Sequence, residues 1–162
     1  MKHIDKIIAY TDGSLMRKKN GTKTNILCGY GVYFPNQEIK NISKKLKDKN
    51  PTNNRAELQA IYKAITGIKK YYTFNQFIIY TDSEYCKKSL TIWIKNWKKN
   101  NWLNAKNKPV ENQKKIMKID KELQGFKIKI EWVAAHTGLN DPHSLGNATA
   151  DELARAGAMK TT

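Results

Sequence analysis

Two apolar stretches of this chain end in the same tripeptide, Tyr-Thr-Asp: Ile7-Ile8-Ala9-Tyr10-Thr11-Asp12 and Phe77-Ile78-Ile79-Tyr80-Thr81-Asp82. Each stretch is rich in β-branched and aromatic residues and stops at polar turn formers, which predicts a buried strand. If the two strands are parallel neighbours, about 4.8 Å apart, their terminal aspartates face each other. Such carboxylates repel, so one must bind a proton or both must share a cation. Solvent-facing aspartates on unrelated strands are the alternative, and the repeated pattern favours a shared cation site.

The rest of the chain supplies further strands and several helices around these two stretches. Hydrophobic spacing predicts further strands over Ile26–Phe34, Glu38–Leu46 and Phe126–Val133, and a polar turn over Arg17–Lys23. It predicts a helix from about Thr52 and a final helix over Leu145–Met159. Between them, residues 84–124 show helical patterns that break near Asn100 and Pro109. The strand that ends at Asp12 and the next two along the chain, Ile26–Phe34 and Glu38–Leu46, are close enough in sequence to form an antiparallel meander. The pattern therefore predicts an α/β fold with a five-stranded mixed sheet, three antiparallel strands plus two parallel, flanked by helices.

Composition limits the class of protein. At 162 residues the chain is expected to form a single domain, 1–162, and no apolar run approaches the roughly 20 residues that span a bilayer. Its two cysteines, Cys28 and Cys86, provide neither a disulfide framework nor a zinc site. The amino terminus runs almost at once into the first strand, so we expect no targeting peptide and a cytoplasmic location.

The net charge points to a polyanionic partner. The formal charge is +16 and the pI is near 9.8, because 30 basic residues face only 14 acidic ones. Basic side chains that contact phosphates release counterions, and this favours binding to nucleic acid.

Two further acids fit the cation site. Glu57 is expected in the first turn of the helix that begins near Thr52, and Asp151 near the start of the final helix. Each one alone is typical of a helix amino terminus. Together with Asp12 and Asp82 they could form an oxygen-only ligand set, which suits Mg²⁺ or Mn²⁺ better than zinc. Two such ions can assist phosphodiester hydrolysis.

Five motifs give the chain its family resemblance: Tyr10–Ser14, Thr52–Leu58, Tyr80–Ser83, Ala135–Gly138 and Gly146–Ala154. In this order they resemble the type 1 ribonucleases H, and they cover essentially the whole chain. The resemblance implies a ribonuclease H-like fold and an endoribonuclease that cuts the RNA strand of RNA/DNA hybrids with two Mg²⁺ ions, for which Mn²⁺ can substitute. By motif, Asp12, Glu57, Asp82 and Asp151 would be the metal-binding catalytic carboxylates.

The same resemblance implies other site residues. His136 matches the family's mobile histidine, which assists proton transfer or product release. His143 is a rival, because the stretch from His136 to Asp151 is longer than usual. Substrate contacts are implied for Gly13, Ser14, Thr52, Asn53, Asn54 and Glu84, and Glu84 stands where bacterial members have a glutamine. N-capping alone would explain Thr52 or Asn53.

A basic, tryptophan-bearing segment lies between the last two strands. From Lys87 to Lys121 there are eleven lysines and two acids, with Trp93, Trp97 and Trp102 among them. Trp93 and Trp97 are spaced i, i+4 and share a helix face. The part from about 87 to 110 resembles the basic protrusion of bacterial ribonucleases H, which implies hybrid contacts from Trp93, Lys95, Trp97, Lys98 and Lys99. A hydrophobic cluster with a solvated lysine face is the alternative.

These features together predict a monomeric ribonuclease H whose partner is an RNA/DNA hybrid. A resolvase- or exonuclease-like nuclease of the same superfamily is a second possibility, although the intact Thr52–Leu58 motif and the protrusion argue against it. A non-catalytic nucleic-acid-binding module is a third. The full carboxylate set disfavours it, because unpaired acids repel a polyanion unless metal is bound.

Overall fold

The two Tyr-Thr-Asp strands lie side by side in the middle of one sheet. In this computed structural model, which describes residues 1–161, they are β1 (Lys2–Asn20) and β4 (Tyr72–Thr81). They pair in parallel, with Tyr10 opposite Tyr80 and Thr11 opposite Thr81. Asp12 and Asp82, the next residue on each chain segment, therefore come to the same edge of the sheet.

Three more strands complete the sheet. β2 (Lys23–Tyr33) is antiparallel to β1, β3 (Ile42–Lys45) is antiparallel to β2, and β5 (Ile128–Trp132) is parallel to β4. The strand order is β3-β2-β1-β4-β5. The prediction of three antiparallel plus two parallel strands is confirmed.

Helices flank the sheet. They are α1 (Asn53–Tyr71), α2 (Glu84–Lys88), α3 (Ile94–Lys99), α4 (Gln113–Leu123) and α5 (Pro142–Ala158), and a π-helical turn, Ser89–Trp93, joins α2 to α3. The apolar stripe of α1, which includes Leu58, Ile61 and Ile65, is fully buried. The helix α5 packs against β1, β2 and β3, with buried alanines Ala150, Ala154 and Ala158 in its interface.

The predicted polar turn over Arg17–Lys23 is wrong in extent. The first strand does not stop at Asp12, as predicted, because Gly13 to Asn20 stay paired with β2; Lys23 begins β2, so the turn is only Gly21-Thr22. Gly21 has a φ of 68°, a left-handed conformation that glycine adopts without strain. The exposed end of this hairpin has no buried face, so its sequence lacks the alternation that marks a strand.

Other predicted boundaries also shift. The strand expected over Glu38–Leu46 is only Ile42–Lys45, because Asn36 forms a turn in which its backbone carbonyl accepts from the Ile39 N–H at 3.1 Å. The final helix begins at Pro142, not near Leu145. Asp141 is its N-cap and accepts from the Ser144 N–H at 3.0 Å, a start signal that the sequence analysis assigned to the loop.

Candidate active site

Three carboxyl groups meet where the parallel pairing of β1 and β4 ends, just after Thr11 and Thr81. One oxygen each from Asp12, Glu57 and Asp82 lies within 4.8 Å of the others. Asp12 and Glu57 are buried, with 5% and 8% of their surface exposed. A group this compact, made only of hard oxygen donors, can hold a divalent cation.

A close contact between β1 and α1 delivers Glu57 to the two aspartates. A Cβ added at Gly13 would lie 2.6 Å from the Glu57 backbone nitrogen, so glycine at this position lets the helix approach the strand. The Gly13 N–H also donates to Asp12 Oδ1 at 2.9 Å. Glu57 is the fifth residue of α1, not in its first turn as expected, because the helix begins at Asn53.

Burial dominates the electrostatics of this triad. It raises the pKa of Asp12 to about 7, and the negative charge of Asp82 adds to the effect. It raises the pKa of Glu57 strongly, and here the charge of Asp12 contributes next. The pKa of Asp82 is raised mainly by burial as well. Without a cation, the group therefore keeps at least one proton at conditions where exposed carboxylates have lost theirs.

One oxygen of the triad has no partner. Among the side chains of residues 1–161, Glu57 Oε2 is one of three buried polar atoms without a hydrogen bond. A buried oxygen of this kind destabilises the fold unless a proton or an ion satisfies it. This unsatisfied oxygen supports a metal site independently of the short distances between the three carboxyl groups.

Asp151 lies beside the triad and outside the compact group. It is the tenth residue of α5, in the middle of the helix and not near its start, because the helix begins at Pro142. Its charge helps to raise the pKa of both Asp12 and Asp82, which places its carboxylate near them. One of its oxygens pairs with Arg155 Nε at 3.3 Å.

Asn147 is a site residue that the sequence analysis missed. It is 5% exposed, and its Nδ2 donates to Asp82 Oδ2 at 3.0 Å. Its Oδ1 has no partner among the described residues. The available signal was its place four residues before Asp151, since residues at i and i+4 share a helix face.

The two histidines occupy different places. His136 is exposed in the loop before α5, where a φ of 51° puts its backbone in the left-handed region. Its charge lowers the pKa of Asp82, and it lines an open pocket together with Asn147 and Asp151. His143 lies in the first turn of α5, where its Nδ1 and the Tyr10 hydroxyl form a hydrogen bond of 2.8 Å and its ring centroid is 4.4 Å from that of Tyr80.

The predicted substrate-binding residues outside the protrusion lie at the starts of α1 and α2 and on β1. Thr52 is the N-cap of α1, and its Oγ1 accepts from the Arg55 N–H at 3.1 Å, which confirms its capping role. Asn53 and Asn54 follow it on the surface, and Ser14 is half-buried on β1. Glu84 opens α2 and pairs with Lys88 at 3.6 Å.

The protrusion (residues 87–110) contains the π-helical turn, α3 and the loop that follows. Its aromatic rings form a row: the Trp93 and Trp97 centroids are 6.0 Å apart, and those of Trp97 and Trp102 are 6.2 Å apart. Trp97 and Trp102 pack against the core, while Trp93 is 38% exposed. The row therefore anchors the protrusion, as expected for the alternative interpretation of a hydrophobic cluster.

The lysines of the protrusion differ from one another. Lys95 and Lys99 are exposed and form no ion pair within the described chain. Lys98 pairs with Asp120 of α4 at 2.7 Å. Lys98 is therefore engaged in joining two helices, whereas the other two present their charge to solvent.

The pattern of the whole chain now matches a known family. The RNase H family matches residues 5–159. The chain belongs to the RNase H family.

Among residues 1–161, no helix is both long and apolar enough to cross a bilayer.

Relatives within the RNase H family differ in length. A probable ribonuclease H of Acanthamoeba polyphaga mimivirus is 39% identical over 134 residues, which are 82% of this chain and 58% of that protein. A ribonuclease H of Actinobacillus pleuropneumoniae serotype 5b is 37% identical over 153 residues, 94% of this chain and 90% of that protein. The solution structure of the PFV RNase H domain is similar with a TM-score of 0.77 at 29% identity, covering 94% of this chain and 93% of that one. This chain thus spans little more than half of the viral relative.

Proposed function

We propose that this chain is an endoribonuclease that hydrolyses the RNA strand of RNA/DNA hybrids with two divalent metal ions. The observation that supports the proposal most is the buried triad of Asp12, Glu57 and Asp82, within 4.8 Å, at one edge of an RNase H family sheet. We assign the metal ions to this triad together with Asp151.

Mg²⁺ suits these ligands, and Mn²⁺ can replace it, because every donor is a carboxylate oxygen and the Glu57 Oε2 atom lacks a partner. Bound there, the ions supply the positive charge that activates a water molecule and stabilises the departing 3′ oxygen, giving 5′-phosphate and 3′-hydroxyl ends.

The protein side chains prepare the site for this charge. Asp12 and Glu57 hold a proton that they must release before a cation can bind, since burial disfavours both charged forms. Asn147 holds one oxygen of Asp82 in place through its 3.0 Å hydrogen bond. His136, exposed beside Asp82, is placed to assist proton transfer or product release.

The hybrid would lie across the triad edge. Thr52, Asn53 and Asn54 present an exposed helix amino terminus to phosphates, and Gly13, Ser14 and Glu84 lie close to the triad in sequence. The exposed Trp93, Lys95 and Lys99 of the protrusion would contact the DNA strand through its backbone and shape. Contacts to the 2′-hydroxyl of the cut strand would exclude duplex DNA. The enzyme is proposed to act as a monomer in the cytoplasm.

The test is cleavage of three end-labelled duplexes of one sequence: RNA/DNA hybrid, duplex DNA and duplex RNA, each with and without Mg²⁺. The proposal requires internal cuts in the RNA strand of the hybrid alone, and only with metal. Cleavage of DNA would indicate a resolvase- or exonuclease-like enzyme. Tight binding of the hybrid without any cleavage would indicate a non-catalytic module.

A further inference from the structure

A two-stranded hairpin extends past the triad. We name Arg17–Ile26 the hairpin arm, in which Arg17 pairs with Ile26, Lys19 with Thr24 and Asn20 with Lys23. From Asp12 to Asn20 the strand advances about 26 Å, at about 3.3 Å per residue. The arm is thus a projection from the sheet edge that holds the triad.

The side chains of the arm do not pack in the hydrophobic core. All ten residues of the arm are exposed, and even Ile26 has 47% of its surface in solvent. A two-stranded ribbon without a buried face is marginal by itself, so packing does not explain this length.

The arm is strongly and uniformly basic. It contains Arg17, Lys18, Lys19 and Lys23, and no acidic residue occurs between Gly13 and Gln37. None of the four cations forms an ion pair with residues 1–161. Four unpaired cations on an ordered ribbon form a surface that attracts a polyanion.

The base of the arm adjoins the amino terminus of α1. Leu15 pairs with Cys28, and the Cys28 thiol donates to the Thr52 carbonyl at 3.9 Å. Since side chains alternate along a strand, Arg17 and Lys19 lie on the same face as Gly13, which contacts α1. That face continues the surface formed by the start of α1.

The protrusion is a separate element. The arm is formed by β1 and β2, whereas the protrusion follows β4, and its end lies beside the start of α1, where Val110 and Arg55 line one pocket. A duplex placed on the triad therefore has cations available from two different elements.

We propose that the hairpin arm is a second nucleic-acid-binding element, separate from the protrusion, which contacts backbone phosphates of the hybrid. The inference rests on the proposed function for its substrate. The ligand chemistry is the phosphodiester backbone, so the arm raises affinity for any sequence and leaves the chemical step unchanged.

The experiment compares two variants with the same change in net charge. One replaces Arg17, Lys18, Lys19 and Lys23 with Gln. The control replaces Lys6, Lys40, Lys127 and Lys129, which are exposed and lie toward the opposite end of the parallel strands. Binding of an RNA/DNA hybrid of about 30 base pairs is measured in EDTA over a salt series, because each lost phosphate contact lowers the slope of log K against log salt by about 0.9.

The arm variant is expected to lower the slope by about 1.8 or more and to raise KM in Mg²⁺ with kcat nearly unchanged, whereas the control keeps the parental slope. Equal slopes in the two variants would overturn the proposal. Lys19→Gln/Lys23→Gln, against Lys127→Gln/Lys129→Gln, applies the same comparison if the quadruple variant unfolds. The two hypotheses can fail separately. A parent that binds the hybrid but never cleaves it contradicts the proposed function. The salt slopes of the arm variant and the control variant still show whether the arm binds phosphates.

Discussion

At the scale of single residues, the decisive feature is the burial of three carboxyl groups beside one another. Burial raises the pKa of Asp12 to about 7, whereas the ordinary value is 3.8. The folded state thus keeps a proton that the unfolded chain loses at much lower pH. Stability from this protonated carboxyl is complete at low pH and is lost as the pH rises through about 7.

This loss of stability with rising pH gives the first prediction. In EDTA, the free energy of unfolding of the parent protein should fall between about pH 5 and about pH 8, by up to about 1.4 kcal/mol per pH unit for each proton released. Asp12→Asn cannot release that proton, so its decline should be smaller and its stability at the upper pH higher. Urea unfolding at several pH values measures both.

Mg²⁺ is the matched control for this prediction. A cation bound by the triad stabilises the ionised carboxylates, so Mg²⁺ should raise the melting temperature of the parent more at about pH 8 than at about pH 6. The same addition should do less for Asp12→Asn. A parent whose stability in EDTA rises across this pH range would contradict the assigned pKa shifts.

Asn147 gives a second prediction. Asn147→Ala removes the 3.0 Å hydrogen bond that orients Asp82, so kcat should fall about 10- to 100-fold and half-saturation should need more Mg²⁺. KM for the hybrid should stay close to the parental value. Thr149→Ala, on the same helix, is the control, because Thr149 donates to the Leu145 carbonyl and contacts no carboxylate. An unchanged Mg²⁺ requirement in Asn147→Ala would show that Asn147 does not position Asp82.

The two histidines give a third prediction. His136→Ala should slow turnover by about 10²- to 10⁴-fold at most, since assisted proton transfer contributes on that scale. His143→Ala should leave kcat nearly unchanged and lower stability by about 1 kcal/mol, because it removes the Tyr10 hydrogen bond and the ring contact with Tyr80. Single-turnover rates and melting curves separate the two effects. A slower His143 variant would mean that the longer loop exchanges their roles.

Sequence reasoning reached part of this site. Asp12 and Asp82 were predictable as neighbours, because both follow the same apolar pattern and parallel pairing fixes their register. Asn147 was not found, because its role depends on a contact across 65 residues with Asp82. Its position four residues before Asp151 indicated a shared helix face, but not the contact with Asp82.

At the scale of elements, local patterns predicted the buried strands and missed the exposed ones. β4 has a buried segment, Phe77–Ile79, and its sequence is continuously apolar there. The last four residues of β1, Arg17–Asn20, are exposed on both faces, so only their backbone pairing with β2 makes them a strand. The π-helical turn Ser89–Trp93 in the protrusion was likewise not predicted, because a π-turn is a local bulge inside a continuous helical pattern.

The protrusion gives a fourth prediction. Lys95→Gln/Lys99→Gln should weaken hybrid binding and lower the salt slope by up to about 1.8, because these exposed lysines have no partner within the described chain. Lys98→Gln should change the slope less and cost about 0.2–1 kcal/mol, because Lys98 pairs with Asp120. Binding in a salt series, with denaturant unfolding of each variant, measures both terms.

Trp97→Ala is the structural control for that comparison. Trp97 packs between Trp93 and Trp102 and against the core, so its loss should reduce stability by about 2–3 kcal/mol as well as affinity. If Lys95→Gln/Lys99→Gln keeps the parental KM and salt slope, the lysine run is only a solvated face.

At the scale of the whole molecule, the charges are arranged in two parts. The formal charge of +16 lies largely in exposed lysines, including those of the hairpin arm and the protrusion, while three of the 14 acidic residues form the triad. Exposed cations of this kind attract the backbone of a duplex, and the carboxylates of the triad repel it unless metal ions are bound. Under the proposed function, hybrid binding and cleavage would both depend on metal occupancy.

The central claim is that the buried carboxylates hold the metal ions that cleave a hybrid. The most direct measurement is single-turnover cleavage of the RNA strand of a labelled hybrid in a Mg²⁺ titration, for the parent, Asp12→Asn and Asp82→Asn, each checked for folding. The parent should cleave only with Mg²⁺, and both variants should bind the hybrid, remain folded and show no cleavage at any Mg²⁺ concentration. Hydrolysis by both variants at nearly the parental rate would contradict the assignment of the site.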